Sequence, residues 1–393
     1  MENVYILSIA RTAIGAFGGQ FASLSAIDLG KAAVQGAITR AGISADQVDE
    51  VILGNVLQAN LGQAPAKQVA LASGIPDSVP CTTINKVCAS GMKAIMNGVQ
   101  AIQCKDADII VAGGFESMSN TPFYIPKGRF GYKYGNAALI DGIVRDGLQD
   151  PYNGEMMGNA GEHCASECNI SREDQDDFAQ LSYERATAAL ESGQWDSEII
   201  PVAVPQRRGD DVIITTDEEI GKANFEKMRK LRPAFKKDGT ITAANASKLN
   251  DGAAAVILIS ESKLKEIGGK PVAKISGYAD ASQEPIWFTT TPSKAMPKAI
   301  AKAGLTIDDI DYFEINEAFS CVPLVNAKEL GINMDKVDVF GGAVSLGHPI
   351  GCSGARIVVT LANVLQQHNA KYGCAGICNG GGGASAMVIE RIE

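Results

Sequence analysis

Long apolar runs are missing from this sequence, and none reaches the roughly 18 residues that a membrane-spanning helix requires. The first residues also lack the charged-then-apolar pattern of a secretory signal. Histidine is scarce, with three in 393 residues. The two close cysteine pairs, Cys164/Cys168 and Cys374/Cys378, do not have the usual spacing of a zinc site, so no zinc is expected. Nine cysteines, an odd number without a signal segment, point to reduced thiols inside the cell. Positive charge is in deficit, and a net charge of −10 speaks against nucleic acid as a general partner. Neither nucleic acid nor membrane is expected to bind. Low-complexity tracts are absent too. The 42 glycines against 15 prolines therefore read as tight turns between packed elements.

What is present is 46% hydrophobic and 20% charged, ample for a core of two or three subdomains. The chain is organised around Asn85-Lys-Val-Cys-Ala-Ser-Gly-Met-Lys-Ala94, with Cys88 at its chemical centre. Before it, Val79–Ile84 is rich in β-formers. After it, Met92, Ile95, Met96, Val99 and Ile102 mark one face of a helix. Cys88 is thus expected at a strand-to-helix turn, where the positive helix end lowers a thiol's pKa from about 8.5. Gly91 clears the approach to the sulfur. A buried structural thiol is the alternative.

Val4–Ile9 reads as an opening strand and Ala26–Ala41 as a helix. The stretch Ala41–Gly54 then recurs as Ala303–Asn316 at an offset of 262, and Ser90-Gly91 recurs as Ser353-Gly354 at 263. A period this long means a duplicated domain. Helical patterns alternate with short apolar strands such as Ala107–Ala112 and Ala255–Ile259, which indicates α/β units. The repeat divides the chain into a first half, 1–118 with 248–270, and a second half, 271–393. The unmatched middle, 119–247, reads as an insertion carrying substrate contacts. Within it, Ser171 caps a helix with an acidic first turn. Further on, Lys222–Lys237 holds seven basic residues against one acid, Glu226. Such a cluster suits a multiply phosphorylated ligand. A solvated helix face accounts for it equally.

The last third carries three polar stretches: Asn316-Glu-Ala-Phe319, Gly341–Gly354 around His348, and Cys378-Asn-Gly-Gly-Gly-Gly383. A capped strand end, a satisfied core histidine and a buried thiol beside a tight turn explain each one taken alone. Together with Cys88 they supply a nucleophile, acid/base groups and oxyanion donors, the inventory for acyl transfer.

With these motifs in order, the sequence resembles the thiolase family over essentially its whole length. The motifs are 85–93, Gly113-Gly with Glu116-Ser-Met-Ser119, Asn316-Glu-Ala-Phe, Gly347-His-Pro and Cys378-x-Gly-Gly. Thr242–Ser247 and the glycine-rich end are most similar to the biosynthetic, acetoacetyl-CoA type, especially its animal form. The resemblance implies a duplicated five-layered α/β/α/β/α core with an inserted loop domain. It implies reversible condensation of two acetyl-CoA to acetoacetyl-CoA plus CoA, with no covalent cofactor, by a homotetramer active in lipid metabolism. Cys88 would take the acetyl group, His348 its proton, and Cys378 a proton from the second acetyl-CoA. His348 with a water on Asn316 would form one oxyanion hole, and the N–H groups of Cys88 and Gly380 the other. Coenzyme A would meet Lys222, Ala223, Asn224, Lys227 and Ser247. Some animal members hold a potassium ion, and the matching positions are Tyr183, Ala243, Ala244, Ala246 and Val344.

Departures from the family pattern are Met156-Met157-Gly158 in place of His-Met-Gly, His163 for the usual Asn, and Thr289 after Phe288. A 3-ketoacyl-CoA thiolase of broader chain length and a non-catalytic CoA-binding protein are the rival readings. A β-ketoacyl synthase shares the fold but lacks a thiol like Cys378. The expected compartment is the cytoplasm, with a processed mitochondrial chain as the other possibility.

Overall fold

A computed structural model describes residues 2–392. The first half runs β1 (Val4–Arg11), α1 (Ala26–Ala41), β2 (Glu50–Gly54), β3 (Cys81–Ile84), α2 (Ser90–Cys104) and β4 (Ile109–Ser117). An insertion containing α3 (Arg172–Glu191) follows, and β5 (Asn250–Ser260) completes the sheet of that half. The second half runs β6 (Ala273–Ser282), α4 (Pro292–Lys302), β7 (Tyr312–Ile315), α5 (Ile350–Gln367), β8 (Tyr372–Asn379) and β9 (Gly383–Arg391).

Strand order exposes the duplication. The first half reads β3-β2-β4-β5-β1 and the second β7-β8-β9-β6. Parallel pairing of β2 with β4 is matched by β7 with β8, and the antiparallel steps that follow also correspond. The counterpart of β3 is reduced to a single parallel bridge between Phe313 and Val337. Among the described residues the half-sheets meet edge to edge through two residue pairs, Tyr5 with Lys274 and Ile6 with Ala273.

Three large apolar cores hold the five layers together, the central one serving both faces of the middle helix layer. One lies outside the first half-sheet under α1, and one outside the second under α4. The central core joins both half-sheets through α2 and α5, and includes Met92, Ile95, Val256, Leu258, Ile357, Ile377 and Met387. The predicted stripe of α2 is buried there. The two central helices meet on bare backbone: a Cβ on Gly91 would lie 2.7 Å from the Ala355 nitrogen, and one on Gly354 would lie 2.6 Å from the Met92 nitrogen. The contact is reciprocal, and it explains the Ser-Gly repeat. Side chains there would hold the helices apart.

The insertion adds no strand to the main sheet. It forms two short ribbons (Phe123–Tyr124 with Ile140–Asp141, Val202–Val204 with Val212–Ile214) and its helices pack over the second half. As the sequence suggests, α3 opens at Ser171: its hydroxyl accepts from the Asp174 N–H, and the Asp174 carboxylate accepts from the Ser171 N–H.

Candidate active site

Between β3 and α2, residues Asn85–Ala89 form the turn that presents Cys88. Val87 there has φ of 49°, a left-handed conformation that a β-branched residue adopts only under strain. The turn is over-determined. Asn85 Oδ1 accepts from the Val87 N–H at 3.0 Å, Ser90 Oγ accepts from the Lys86 N–H at 2.8 Å, and that hydroxyl donates to the Val87 carbonyl at 2.6 Å. Lys86 Nζ reaches across to the second half, 2.6 Å from Asp280, which Lys93 also meets at 2.8 Å. Burial works against the Asp280 charge, yet hydrogen bonds from Lys86, Lys93 and Ser385 hold its pKa at about 2. An ion pair thus fastens the nucleophile turn to the other half.

Cys88 lies in a cavity of about 50 Å³ whose walls include Met157, Phe288, Phe319, His348 and Gly380. The N–H groups of Gly380 and of Cys88 itself are directed at the sulfur. They do not make it a thiolate. Enclosure pushes the thiol up to about 12, overcoming those donors, so the lowered pKa expected from the helix end is corrected. Ala89, which precedes α2, offers no side-chain cap, and apolar side chains from distant segments replace the water that a thiolate needs.

His348 is the complementary group. Gly347 precedes it with φ of 115°, packed so closely on Asn250 that a Cβ would lie 2.3 Å from Cγ. Asn250 Oδ1 accepts from the His348 N–H at 2.9 Å. Ser353 Oγ donates to the Pro349 carbonyl at 3.0 Å, so its contact with Nδ1 at 2.5 Å is one in which Nδ1–H donates. Nε2 is therefore the bare nitrogen, and it is buried without a protein partner. Burial, and then the Arg356 charge, push the imidazole down to about 3. At neutral pH the site holds a neutral thiol beside a neutral proton acceptor.

Cys378 is buried on β8, where burial first and the nearby Cys88 second drive its thiol well above the usual range. Asn316 follows β7. Its backbone N–H donates to the Gly376 carbonyl at 3.0 Å, while both of its buried side-chain polar atoms lack a partner among the described residues. An unpaired buried amide of this kind suits a bound water or carbonyl. Cys88 comes from the first half and His348, Cys378 and Asn316 from the second.

The small cavity opens into a cleft of about 520 Å³, with Met157, Ser247, Phe319 and His348 shared between them. The cleft continues, through Glu219, Lys222, Ala243 and Lys248, into a hollow of about 180 Å³ bounded by Tyr183, Ala223, Asn224 and Lys227. All five positions expected for coenzyme A thus line one continuous path, Ser247 nearer the thiols and the other four at the far end. Helix within the basic stretch is limited to Phe225–Met228, too short for a solvated helical face. Lys222 lies 2.9 Å from Glu218 and 3.7 Å from Glu219, and Arg229 pairs with Asp177 at 2.6 Å, whereas Lys227 has no ion pair among the described residues. Met156 lines the cleft, while His163 packs edge-on against Trp287 at 4.6 Å. A larger hollow of about 620 Å³, beside Lys31, Arg40 and Ile200, holds none of these groups.

The potassium expectation meets a different arrangement. Lys248 Nζ donates to the Val344 carbonyl at 2.6 Å and the Ala246 carbonyl at 3.5 Å, and lies 5.2 Å from the Tyr183 ring centre. Three of the five expected ligands already face an ammonium group. As arranged, these residues do not fit a potassium ion. Sequence reasoning passed over Lys248, although it is the one charged residue between Ile241 and Asn250. It also missed Ser353 and Asn250, which orient His348. Glu317 was missed as well; it accepts from the Val344 N–H at 2.8 Å and from Ser182 Oγ at 2.8 Å.

Comparison with known proteins adds to this geometry. Residues 4–262 match the description "Thiolase, N-terminal domain" and residues 269–391 match "Thiolase, C-terminal domain". Acetyl-CoA acetyltransferase IA of Candida tropicalis is 55% identical over 393 residues, covering 99% of this chain and 98% of its own. Acetyl-CoA acetyltransferase of Saccharomyces cerevisiae is 53% identical over 396 residues, covering all of both chains. A relative from Gibberella zeae, named acetyl-CoA acetyltransferase ERG10, cytosolic, is 54% identical over 391 residues, with 99% and 98% covered. Among solved structures, Acat5 thiolase from Ascaris suum, in complex with coenzyme A, superposes with a TM-score of 0.95 at 46% identity over the full length of both chains.

Proposed function

This chain belongs to the thiolase family, and on that premise we propose that it is an acetyl-CoA acetyltransferase, joining two acetyl-CoA into acetoacetyl-CoA and CoA. The observation that carries the reading is the closed end of the cleft. The neutral Cys88 thiol and an imidazole with a bare Nε2 line a space of about 50 Å³ there, and the Cys378 thiol lies close enough behind to feel a charge on Cys88. That volume admits a few waters, and so an acetyl group rather than a long acyl chain.

In this mechanism Cys88 Sγ attacks the acetyl carbonyl while its proton passes to His348 Nε2. The N–H groups of Cys88 and Gly380 stabilise the oxyanion. The C–S bond to coenzyme A then breaks, and the departing sulfur takes the proton of Cys378. His348 keeps the first proton and becomes a donor, and Cys378 becomes the base. A second acetyl-CoA loses a methyl proton to Cys378, its enolate oxygen held by His348 Nε2–H and a water on Asn316. The enolate carbon attacks acetyl-Cys88, and the expelled Cys88 sulfur recovers its proton from His348. Both thiols start and finish neutral, in keeping with their burial.

Coenzyme A binds along Ser247, Ala223, Asn224, Lys222 and Lys227 in this reading, so the 119–247 insertion carries most of the substrate contacts. The two halves, 1–118 with 248–270 and 271–393, supply the chemistry. We take the assembly as a tetramer, for which the exposed apolar run Phe123, Ile125, Phe130, Tyr134 and Leu139 is support. The compartment follows the cytosolic relative.

The test is acyl-length profiling combined with acid quenching. Acetoacetyl-CoA should be cleaved far faster than 3-ketohexanoyl-CoA or longer substrates, and quenched enzyme should carry one acetyl group on the Cys88 peptide. Similar rates across lengths, or label on Cys378, would overturn the assignment.

A further inference from the structure

We propose that Lys248 is a positioning residue acting as a built-in monovalent cation, its tethered ammonium locking the cleft wall to the turn before His348 without an alkali-metal ion. This rests on the CoA-thioester reading of the cleft.

Lys248 approaches no carboxylate closely enough for an ion pair among the described residues. Its ammonium is matched instead by two carbonyls and the face of Tyr183, a cation–π contact. Burial pushes it down to about 8, and the charges of Glu219 and Glu317 work against that loss. At neutral pH it remains a cation. Oxygen donors and a π face are what a small cation-binding site offers, and here the side chain delivers the charge itself.

The two carbonyls belong to separate segments. Ala246 lies in the wall whose Ser247 N–H donates to the Ala318 carbonyl at 3.0 Å. Val344 lies in the short helix Ala343–Leu346, directly before Gly347 and His348. The Val344 N–H is held by the Glu317 carboxyl oxygen and its carbonyl by the Lys248 ammonium. Both backbone groups of one residue are thus gripped by buried side chains, four residues before the proton acceptor. Lys248 also lines both the cleft and the outer hollow, so its loss should disturb the substrate path more than the chemistry.

The experiment compares wild type, Lys248→Ala and Lys248→Met in acetoacetyl-CoA thiolysis. Potassium chloride is set against tetramethylammonium chloride at equal ionic strength, and thermal melting is measured in both salts. Wild type should give the same KM and Tm in the two salts. Lys248→Ala should show a KM raised about tenfold with a smaller change in kcat, restored by potassium together with a rise in Tm. Lys248→Met, which fills the space without charge, should show the raised KM and no rescue. Potassium activation of wild type, an unchanged KM in both variants, or a Lys248→Ala defect that potassium leaves untouched would overturn the proposal. Should Lys248→Ala not fold, an unchanged KM in Lys248→Met would do the same. Wild type inert toward acetoacetyl-CoA would instead refute the reaction assignment, and the melting response of Lys248→Ala to potassium would still decide the role of Lys248.

Discussion

Truncating Lys227 isolates the grip on the substrate's nucleotide from the chemistry at its thioester. The Lys227 side chain is exposed, lines the outer hollow and has no ion pair among the described residues, so its charge is free for a phosphate. Two unit charges about 4 Å apart in water attract by about 1 kcal/mol, and an exposed pair of that kind is worth about the same or less. Lys227→Ala should therefore raise KM for acetoacetyl-CoA about fivefold and leave kcat nearly unchanged, since a contact remote from the reacting carbon serves ground and transition states alike. The defect should shrink as ionic strength rises, because screening over about 10 Å removes an exposed contact. The assay is steady-state thiolysis at low and high salt, repeated with a pantetheine thioester that lacks the nucleotide. With the truncated substrate, wild type and variant should coincide. Equal defects on both substrates, or a fall in kcat exceeding the rise in KM, would mean that Lys227 acts through loop position and that the charge argument is wrong.

Two further outcomes follow from the thiols. Cys378→Ala should still acquire an acetyl group on Cys88 yet fail to condense, and should lose exchange of acetyl-CoA methyl hydrogens with solvent deuterium; normal condensation would return Cys378 to a packing role. With the Cys88 thiol at about 12, its alkylation by iodoacetamide in free enzyme should climb about tenfold per pH unit from about pH 6 to about pH 9 without levelling. His348, neutral above about 3, should add no inflection in that range. A plateau near pH 7, followed by mass spectrometry of the Cys88 peptide, would show a preformed thiolate and refute the enclosure argument.

Much of the frame was legible because it is periodic. The offset of 262 carries β2 onto β7, and the Ser-Gly repeat marks the point where α2 and α5 touch. The apolar stripe of α2 and the Ser171 cap are local patterns with local causes. The thiol's acidity was not legible. A helix end is visible in sequence, but the Met157, Phe288 and Phe319 side chains that wall the cavity around the half-buried Cys88 arrive from 69 to 231 positions away. Lys248 shows the same limit: its charge was plain, but its destination depends on Val344, 96 residues onward. Lys222 shows a milder one, since Glu218 and Glu219 lie just outside the stretch in which its charge was counted.

The bare-backbone contact between α2 and α5 also constrains how binding energy can be used. Where Gly91 and Gly354 meet the facing helix, no side chain stands between the two backbones, so sliding one half over the other at that point brings main chain against main chain. A stiff junction there keeps Cys88 of one half at a set distance from His348 and Cys378 of the other, and leaves the grip on the nucleotide to the insertion that carries Lys222 and Lys227. New acyl preferences are then reached most directly through the side chains around Cys88, such as Met157 and Phe288, rather than through the spacing of the two halves.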